Sequence, residues 1–144
     1  MNKALLCLAF PLQALALDAQ TICLAKNIYW EARGEPLLGQ YAVASVTLNR
    51  VAHKRFPNTI CRVVYQRNQF SWTITHKHAR IRDVVAWQVA KYIARSAREG
   101  LIKDVTGGAT HYHAVYVKPR WSRHFLRTVK IHKHIFYRFH NASK

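Results

Sequence analysis

Residues 37–54, with the sequence LLGQYAVASVTLNRVAHK, carry apolar side chains around most of the circumference of a helix. A helix without a polar face has to be enclosed by other elements of the fold. Pro36 fits its first turn, where the missing N–H of proline costs nothing. In a chain of 144 residues, which is the size of one domain, this segment predicts a central helix from Pro36 to about Lys54.

Two further long helices and a β-rich end complete the predicted fold. Apolar residues recur at helical spacing between Asp18 and Arg33, with Asp18 as N-cap or first-turn acid, and again between Ala79 and Glu99. Segments 106–117 and 128–139 are rich in β-branched and aromatic residues, and they predict short strands or extended loops. The sequence therefore predicts an α+β fold that is mainly α, with a small β-rich C-terminal portion.

The N-terminal segment has the layout of a secretory signal. Lys3 precedes an apolar run from Ala4 to Ala16, which ends in the small residues Ala14 and Ala16. This run of thirteen residues is too short to span a bilayer, which takes about 20. A buried helix is an alternative, although Pro11 argues against it, and a releasable anchor is another. We expect residues 1–16 to be a signal or such an anchor, residues 17–144 to form one domain, and the protein to be exported to the periplasm or beyond the cell.

Export would determine the state of the cysteines. Cleavage of the signal would remove Cys7 and leave Cys23 and Cys61 as a pair. In an oxidising compartment such a pair favours a disulfide, and two buried thiols are the alternative.

The charge of the chain indicates an anionic partner. It has 23 Lys and Arg against 6 Asp and Glu, a net charge of +17, so nucleic acid, a membrane surface or an acidic envelope polymer would be attracted. The basic residues are scattered, and no zinc-finger spacing or RNA-binding signature is present. We expect anionic envelope polymers as partners, no nucleic acid, and a monomer.

Two of the six acidic residues stand in the segment EARGEP, residues 31–36. At 100° per residue, Glu31 falls at the margin of the apolar arc of the first helix. Partial desolvation there raises the pKa of a carboxyl, as a general acid requires. Glu35 precedes Pro36 at the positive end of the next helix, where a carboxylate can cap free N–H groups. Glu31 is the predicted catalytic acid and Glu35 a cap and orienting group, although structural roles for such pairs are common.

Four blocks together resemble the SleB/CwlJ family of cell-wall hydrolases. They occur in the order found in that family and cover the chain from about Ile22 to Arg138. The short chain and high positive charge are also similar to a bacteriophage endolysin of the family. The blocks are LAKNIYWEARGEPLLGQYAVASVTLNRV, RFPNTICRVVYQRNQFSWT, GGATHYHAVYVKPRW and KIHKHIFYR.

The resemblance implies cleavage of peptidoglycan glycan strands on a fold similar to goose-type lysozyme and lytic transglycosylases. The first glutamate of the EARGE block, here Glu31, would protonate the glycosidic oxygen between N-acetylmuramic acid and N-acetylglucosamine. It would then act as base while the muramyl C6 hydroxyl closes a 1,6-anhydro ring. Ordinary glycosidases use two carboxylates. A muramidase with Glu35 as partner, an amidase, and a non-catalytic cationic membrane-active protein remain alternatives.

The same blocks suggest supporting residues. Gln69 and Ser71 are expected near Glu31 through the family pattern alone. Trp72 and Trp121 are candidates for the glycan groove, because aromatic faces pack well on sugar rings, with ordinary core positions as the alternative.

Residues with polar groups inside the first and third blocks complete the candidate site. Asn27, one turn before Glu31, would either bond its carboxyl or lie on the surface. His111, Tyr112 and His113 follow a Gly-Gly pair and could reach into a cleft, and on a strand the two histidines would share one face. Such a histidine pair could also ligate zinc. Since no HExxH motif or cysteine set of metal spacing is present, we expect no metal and no cofactor.

Overall fold

A computed structural model describes residues 16–140. The proposed signal or anchor, residues 1–16, lies outside the described residues except for Ala16. Within residues 16–140, no helix is both long and apolar enough to cross a membrane.

Five helices form the first two thirds of the described chain. Asp18 accepts a hydrogen bond from the N–H of Thr21 at 2.8 Å and so caps the first helix, as predicted. The last long helix begins at Val84 rather than near Ala79, because Asp83 caps it by accepting the N–H of Ala86 at 2.9 Å. The helices are α1 (Ala19–Ala32), α2 (Leu37–Ala52), α3 (Ile60–Val64), α4 (Trp72–Thr75) and α5 (Val84–Arg98).

The C-terminal part is a three-stranded antiparallel sheet. Its strands are β1 (His111–Ala114), β2 (Leu126–Ile131) and β3 (His134–Arg138), in the order β1-β3-β2. A short 3₁₀ helix, Arg120–His124, lies between β1 and β2. The predicted fold class, mainly α with a small β-rich C-terminal portion, is confirmed.

Helix α2 lies between the other helices and the sheet. Val43 and Ala44 belong to the core shared with α1, α3 and α5, whereas Val46 packs with Phe136 of β3 in a second cluster. The predicted enclosure holds from Gly39 to Val51, while Leu38 at its start is half exposed and Ala52 at its end is exposed. Because α2 is buried on both sides, it sets the position of the sheet relative to the other helices.

The start of α1 is fastened at two points. Cys23 and Cys61 form a disulfide with a Cα–Cα distance of 5.2 Å, which joins α1 to α3 in agreement with the expected pairing. Arg98 of α5 pairs with Asp18 at 2.5 Å. The disulfide and the ion pair both lie near the N-terminal end of α1. Glu31 lies near the other end, next to the sheet.

Candidate active site

Glu31 lines a cavity of about 450 Å³ between the helices and the sheet. Residues from α1, α2, β1 and the segment around α4 contribute to its wall. The lining residues are Glu31, Arg50, Asn68, Gln69, Phe70, Ser71, Ile74 and Tyr112. Glu31 is the one carboxyl among them, so any acid–base chemistry by a carboxyl in this cavity falls to Glu31.

The carboxyl of Glu31 is held by a tyrosine from the sheet. The hydroxyl of Tyr112 donates a hydrogen bond to Glu31 Oε2 at 2.8 Å, across 81 positions of sequence. Burial, and the charge of Glu31, raise the pKa of Tyr112 well above 10. The phenol therefore stays neutral and serves as a hydrogen-bond donor to the carboxylate.

Arg50 provides the positive charge of the cavity. It is 4% exposed on α2, and its Nε donates to the carbonyl of Thr110 at 2.7 Å. Its Nη1 is buried without a hydrogen-bond partner among residues 16–140. A buried guanidinium with a free N–H is expensive unless charge compensates it, and Glu31 supplies that charge when it is ionised.

Opposing influences act on the pKa of Glu31. Burial is the largest and raises the pKa, whereas the Tyr112 hydrogen bond and the Arg50 charge lower it, and the net direction is upward. The direction predicted from the helical wheel is thereby confirmed. A carboxyl of this kind holds its proton to higher pH than an exposed glutamate, and its anion finds two stabilising partners once the proton has left.

Helix α2 also positions the strand that carries Tyr112. Asn49 Nδ2 donates to the carbonyl of Ala109 at 3.0 Å, next to the contact that Arg50 makes with Thr110. Before it, Gly108 adopts φ = 79°, which favours glycine, and its N–H donates to Asp104 at 2.6 Å. The Gly-Gly turn into β1 is therefore fixed by hydrogen bonds.

The structure contradicts the helix-cap prediction for Glu35. The N-cap of α2 is Pro36, and no side-chain hydrogen bond caps the helix. The Glu35 side chain, 11% exposed, instead lies 2.6 Å from His132 Nδ1 and 3.9 Å from His134 Nδ1. Glu35 does not line the Glu31 cavity; it connects the start of α2 to the sheet.

Neither prediction for Asn27 is correct, since it is fully buried and bonds other partners than Glu31. Its Nδ2 donates to Thr47 Oγ1 at 3.2 Å, and its Oδ1 accepts the indole N–H of Trp72 at 2.8 Å. Trp72 is 5% exposed and belongs to the helical core. The core alternative for Trp72 is correct, and the groove prediction is wrong.

We expect Asn27→Ala to lower the free energy of unfolding by about 2–3 kcal/mol, because the buried Trp72 indole N–H would lose its acceptor. Urea denaturation of the purified protein measures this. Lys26→Ala, on the neighbouring residue of α1, is the control and should stay within about 0.5 kcal/mol of wild type. Equal stability of both variants would show that the Asn27 bridge contributes nothing.

The remaining predicted residues lie on the two sides of β1. Gln69, Ser71 and Tyr112 line the Glu31 cavity. His111 and His113 share the opposite face, as the strand predicts, and their rings lie 5.5 and 5.6 Å from that of Trp121. The histidines and Trp121 are absent from the cavity wall, so the cleft prediction holds for Tyr112 alone.

The histidine face of β1 packs as an aromatic layer. His113 Nε2 lies 2.9 Å from Tyr137 Oη, and burial together with the charge of Arg50 lowers the pKa of His111 to about 4.

Across residues 16–140, no group of three or more His, Cys, Asp or Glu side chains is placed to hold a metal ion.

No functional role was assigned to Arg50 from the sequence, so its place in the cavity was missed. A signal was available, since Arg50 is the one charged residue in α2, a helix otherwise suited to enclosure. A charge on an enclosed helix must meet a partner or a polar cavity. The sequence does not indicate which carboxyl it faces, because that depends on how α1 crosses α2.

The fold and the cavity define a lysozyme-like helical domain with one desolvated carboxyl facing a small sheet. The chain belongs to the Cell Wall Hydrolase family, whose sequence model matches residues 34–137. The matched range includes Arg50, Gln69 and Tyr112 and begins three residues after Glu31.

Curated relatives and solved structures are similar to this chain. It is 36% identical over 118 residues to a spore cortex-lytic enzyme of Bacillus cereus and 31% identical over 121 residues to one of Bacillus subtilis. These alignments cover 78% of this chain but 42% and 35% of those proteins, so the chain spans less than half their length. The catalytic domain of the germination-specific lytic transglycosylase SleB from Bacillus anthracis matches with a TM-score of 0.71 at 32% identity, over 86% of this chain and 98% of that one.

Proposed function

We propose that this chain cleaves the glycan strands of peptidoglycan as a lytic transglycosylase, with Glu31 acting first as acid and then as base. The observation that carries the proposal is the Glu31 carboxyl, desolvated at the wall of a cavity and bonded to Tyr112 at 2.8 Å. The likeness to a catalytic domain described as a lytic transglycosylase supports the same chemistry.

The reaction uses one carboxyl twice. Protonated Glu31 gives its proton to the oxygen that joins C1 of N-acetylmuramic acid to N-acetylglucosamine, and the C1–O bond breaks as the glucosamine leaves with that proton. Tyr112 and Arg50 then stabilise the Glu31 carboxylate. The carboxylate takes the proton of the muramyl C6 hydroxyl, O6 bonds to C1, and the 1,6-anhydro ring closes without consuming water.

The placement of Glu35 favours this one-carboxylate route. Retaining and inverting glycosidases both need a second carboxyl beside the scissile bond. Glu35 is bound to His132 and lies outside the wall of the Glu31 cavity. A water-using muramidase with Glu35 as partner therefore has less support than the transglycosylase.

Mass spectrometry of the muropeptides released from purified sacculi tests the proposal. We expect 1,6-anhydromuramyl ends with wild type and none with Glu31→Gln. Reducing muramyl ends would mean a muramidase, and free peptides would mean an amidase. Intact strands with both proteins, combined with equal killing of cells by both, would favour a cationic membrane-active protein.

Action on this polymer places the protein outside the cytoplasmic membrane. We propose export through residues 1–16, as a cleaved signal or a releasable anchor. An exported protein of this kind would serve a bacteriophage as an endolysin that lyses the host wall. The net charge of +17 would hold the monomer on anionic envelope polymers, and this attraction would weaken with salt.

Tyr112→Phe is expected to lower the rate of glycan cleavage about tenfold, because the carboxylate formed on proton donation loses a charge-assisted hydrogen bond. That bond lowers the pKa of Glu31, so its removal raises this pKa. Since the acid must be protonated, activity should then persist to higher pH. The pH at which the rate falls on the alkaline side should therefore increase. Tyr137→Phe, which loses a hydroxyl on the histidine face, is the control. An unchanged pH–rate profile in Tyr112→Phe would contradict the role of Tyr112.

A further inference from the structure

A second cavity lies beside the Glu31 site, and its lining is strongly basic. It has a volume of about 510 Å³ and is lined in part by Trp30, Arg33, His76, His78, Arg80 and Arg82. None of its lining residues is acidic. Across residues 16–140, no carboxylate forms an ion pair with any of the three arginines. The charge in this cavity is therefore open to an external anion.

The two cavities are neighbours along the chain at two places. Glu31 lines the first cavity and the preceding residue, Trp30, lines the second. Ile74 lines the first, and His76, two positions on, lines the second. Consecutive Cα atoms are about 3.8 Å apart, so the same stretches of backbone line both cavities, and a strand of several sugars is long enough to extend from one cavity to the other.

Aromatic rings hold part of the basic cavity in place. The guanidinium of Arg33 lies 4.8 Å from the ring centre of Tyr29 and 4.9 Å from that of Trp30. The ring of His76 stacks on Trp30 at 4.7 Å. Stacking orients the guanidinium, and an oriented guanidinium suits the two oxygens of a carboxylate.

We propose that this basic cavity binds the carboxylates of the peptide stems carried by the glycan strand. The inference rests on the proposed function, which brings peptidoglycan to Glu31. Stems are attached to the muramyl residue whose C1–O bond would break, so a stem carboxylate seated among the arginines would fix the sugar relative to Glu31. The cavity is thus a positioning site for stem-bearing glycan.

Charge-removing variants and charge-removed substrates test the assignment. Arg33→Gln/Arg80→Gln is compared with Arg123→Gln/Arg127→Gln, which removes the same charge from exposed positions on the 3₁₀ helix and β2. The substrates are glycan from a wall without phosphate polymers and the same glycan with its stem carboxylates amidated. We expect Arg33→Gln/Arg80→Gln to lower kcat/KM about tenfold on native glycan and to leave the amidated substrate unaffected, with no effect of the control pair on either.

Calorimetry provides a readout without catalysis. The free tetrapeptide L-Ala–γ-D-Glu–diaminopimelate–D-Ala should bind the full chain, and both amidation of the peptide and Arg33→Gln/Arg80→Gln should weaken binding about tenfold. Equal losses on both glycan substrates, equal losses with the control pair, or binding of a teichoic acid fragment in place of the tetrapeptide would overturn the proposal. Intact glycan with wild type would refute the proposed function, while tetrapeptide binding would still report on the basic cavity.

Discussion

Glu31→Gln is expected to lower the rate of glycan cleavage by about a thousandfold, since a positioned acid–base group contributes on the order of 10²- to 10⁴-fold. Glutamine keeps the shape of the side chain and can still accept the Tyr112 hydrogen bond, but it has no proton to transfer at neutral pH. The rate of release of muropeptides from sacculi at pH 7 measures the loss.

Glu31→Gln should raise the stability of the folded protein although it lowers the activity. The folded protein raises the pKa of Glu31 above its ordinary value of 4.5, so ionisation favours the unfolded chain and stability falls as the pH rises above that value. Glu31→Gln removes this penalty. The variant should therefore unfold at a higher temperature than wild type at pH 7, with the difference vanishing near pH 3.

Glu35→Gln is the matched control for the loss of activity. Its carboxylate contacts His132 outside the Glu31 cavity, so we expect activity of the same order as wild type. If the two variants lost activity equally, a two-carboxylate mechanism would replace the one proposed. If both remained active, the acid would have to be sought elsewhere.

Removal of the disulfide by Cys23→Ala/Cys61→Ala should lower the free energy of unfolding by about 3–4 kcal/mol. The two residues are 38 positions apart, and in the chain-entropy model a crosslink over such a loop restricts the unfolded chain by that amount. For a domain of this size the loss corresponds to a fall in Tm of about 10–15 °C.

Thermal unfolding with and without dithiothreitol measures the contribution of the bridge. Reductant should destabilise wild type by about as much as the double substitution and should leave the variant unchanged. An identical Tm for reduced and oxidised wild type would show that this fastening of α1 to α3 is not needed for stability.

The helices and the acid were the parts most accessible to sequence reasoning. The apolar period of α1 and α2 depends on neighbours within a few residues, and the same wheel that places the core also places Glu31 at its edge. The caps at Asp18 and Asp83 are local too, but the second was overlooked, so the predicted start of α5 was five residues early.

The partners of polar side chains were beyond that reasoning, because they come from distant parts of the chain. Asn27 bonds Trp72 across 45 positions, and Glu35 lies beside His132 across 97. Spacing within α1 suggested a contact with Glu31 for Asn27, and the position before Pro36 suggested a cap for Glu35. Only the crossing of the helices and the position of the sheet determine which groups meet.

The contact between Tyr112 and Glu31 also fixes when, during synthesis, the carboxyl acquires its partner. In residues 16–140, β1 is paired only with β3, which ends at Arg138. Ribosomes make the chain from its N-terminus, so Glu31 emerges long before the strand that holds Tyr112 beside it. A nascent or prematurely terminated chain would carry the glutamate without its hydrogen-bond donor, and the complete site would form only after translation has passed the last strand.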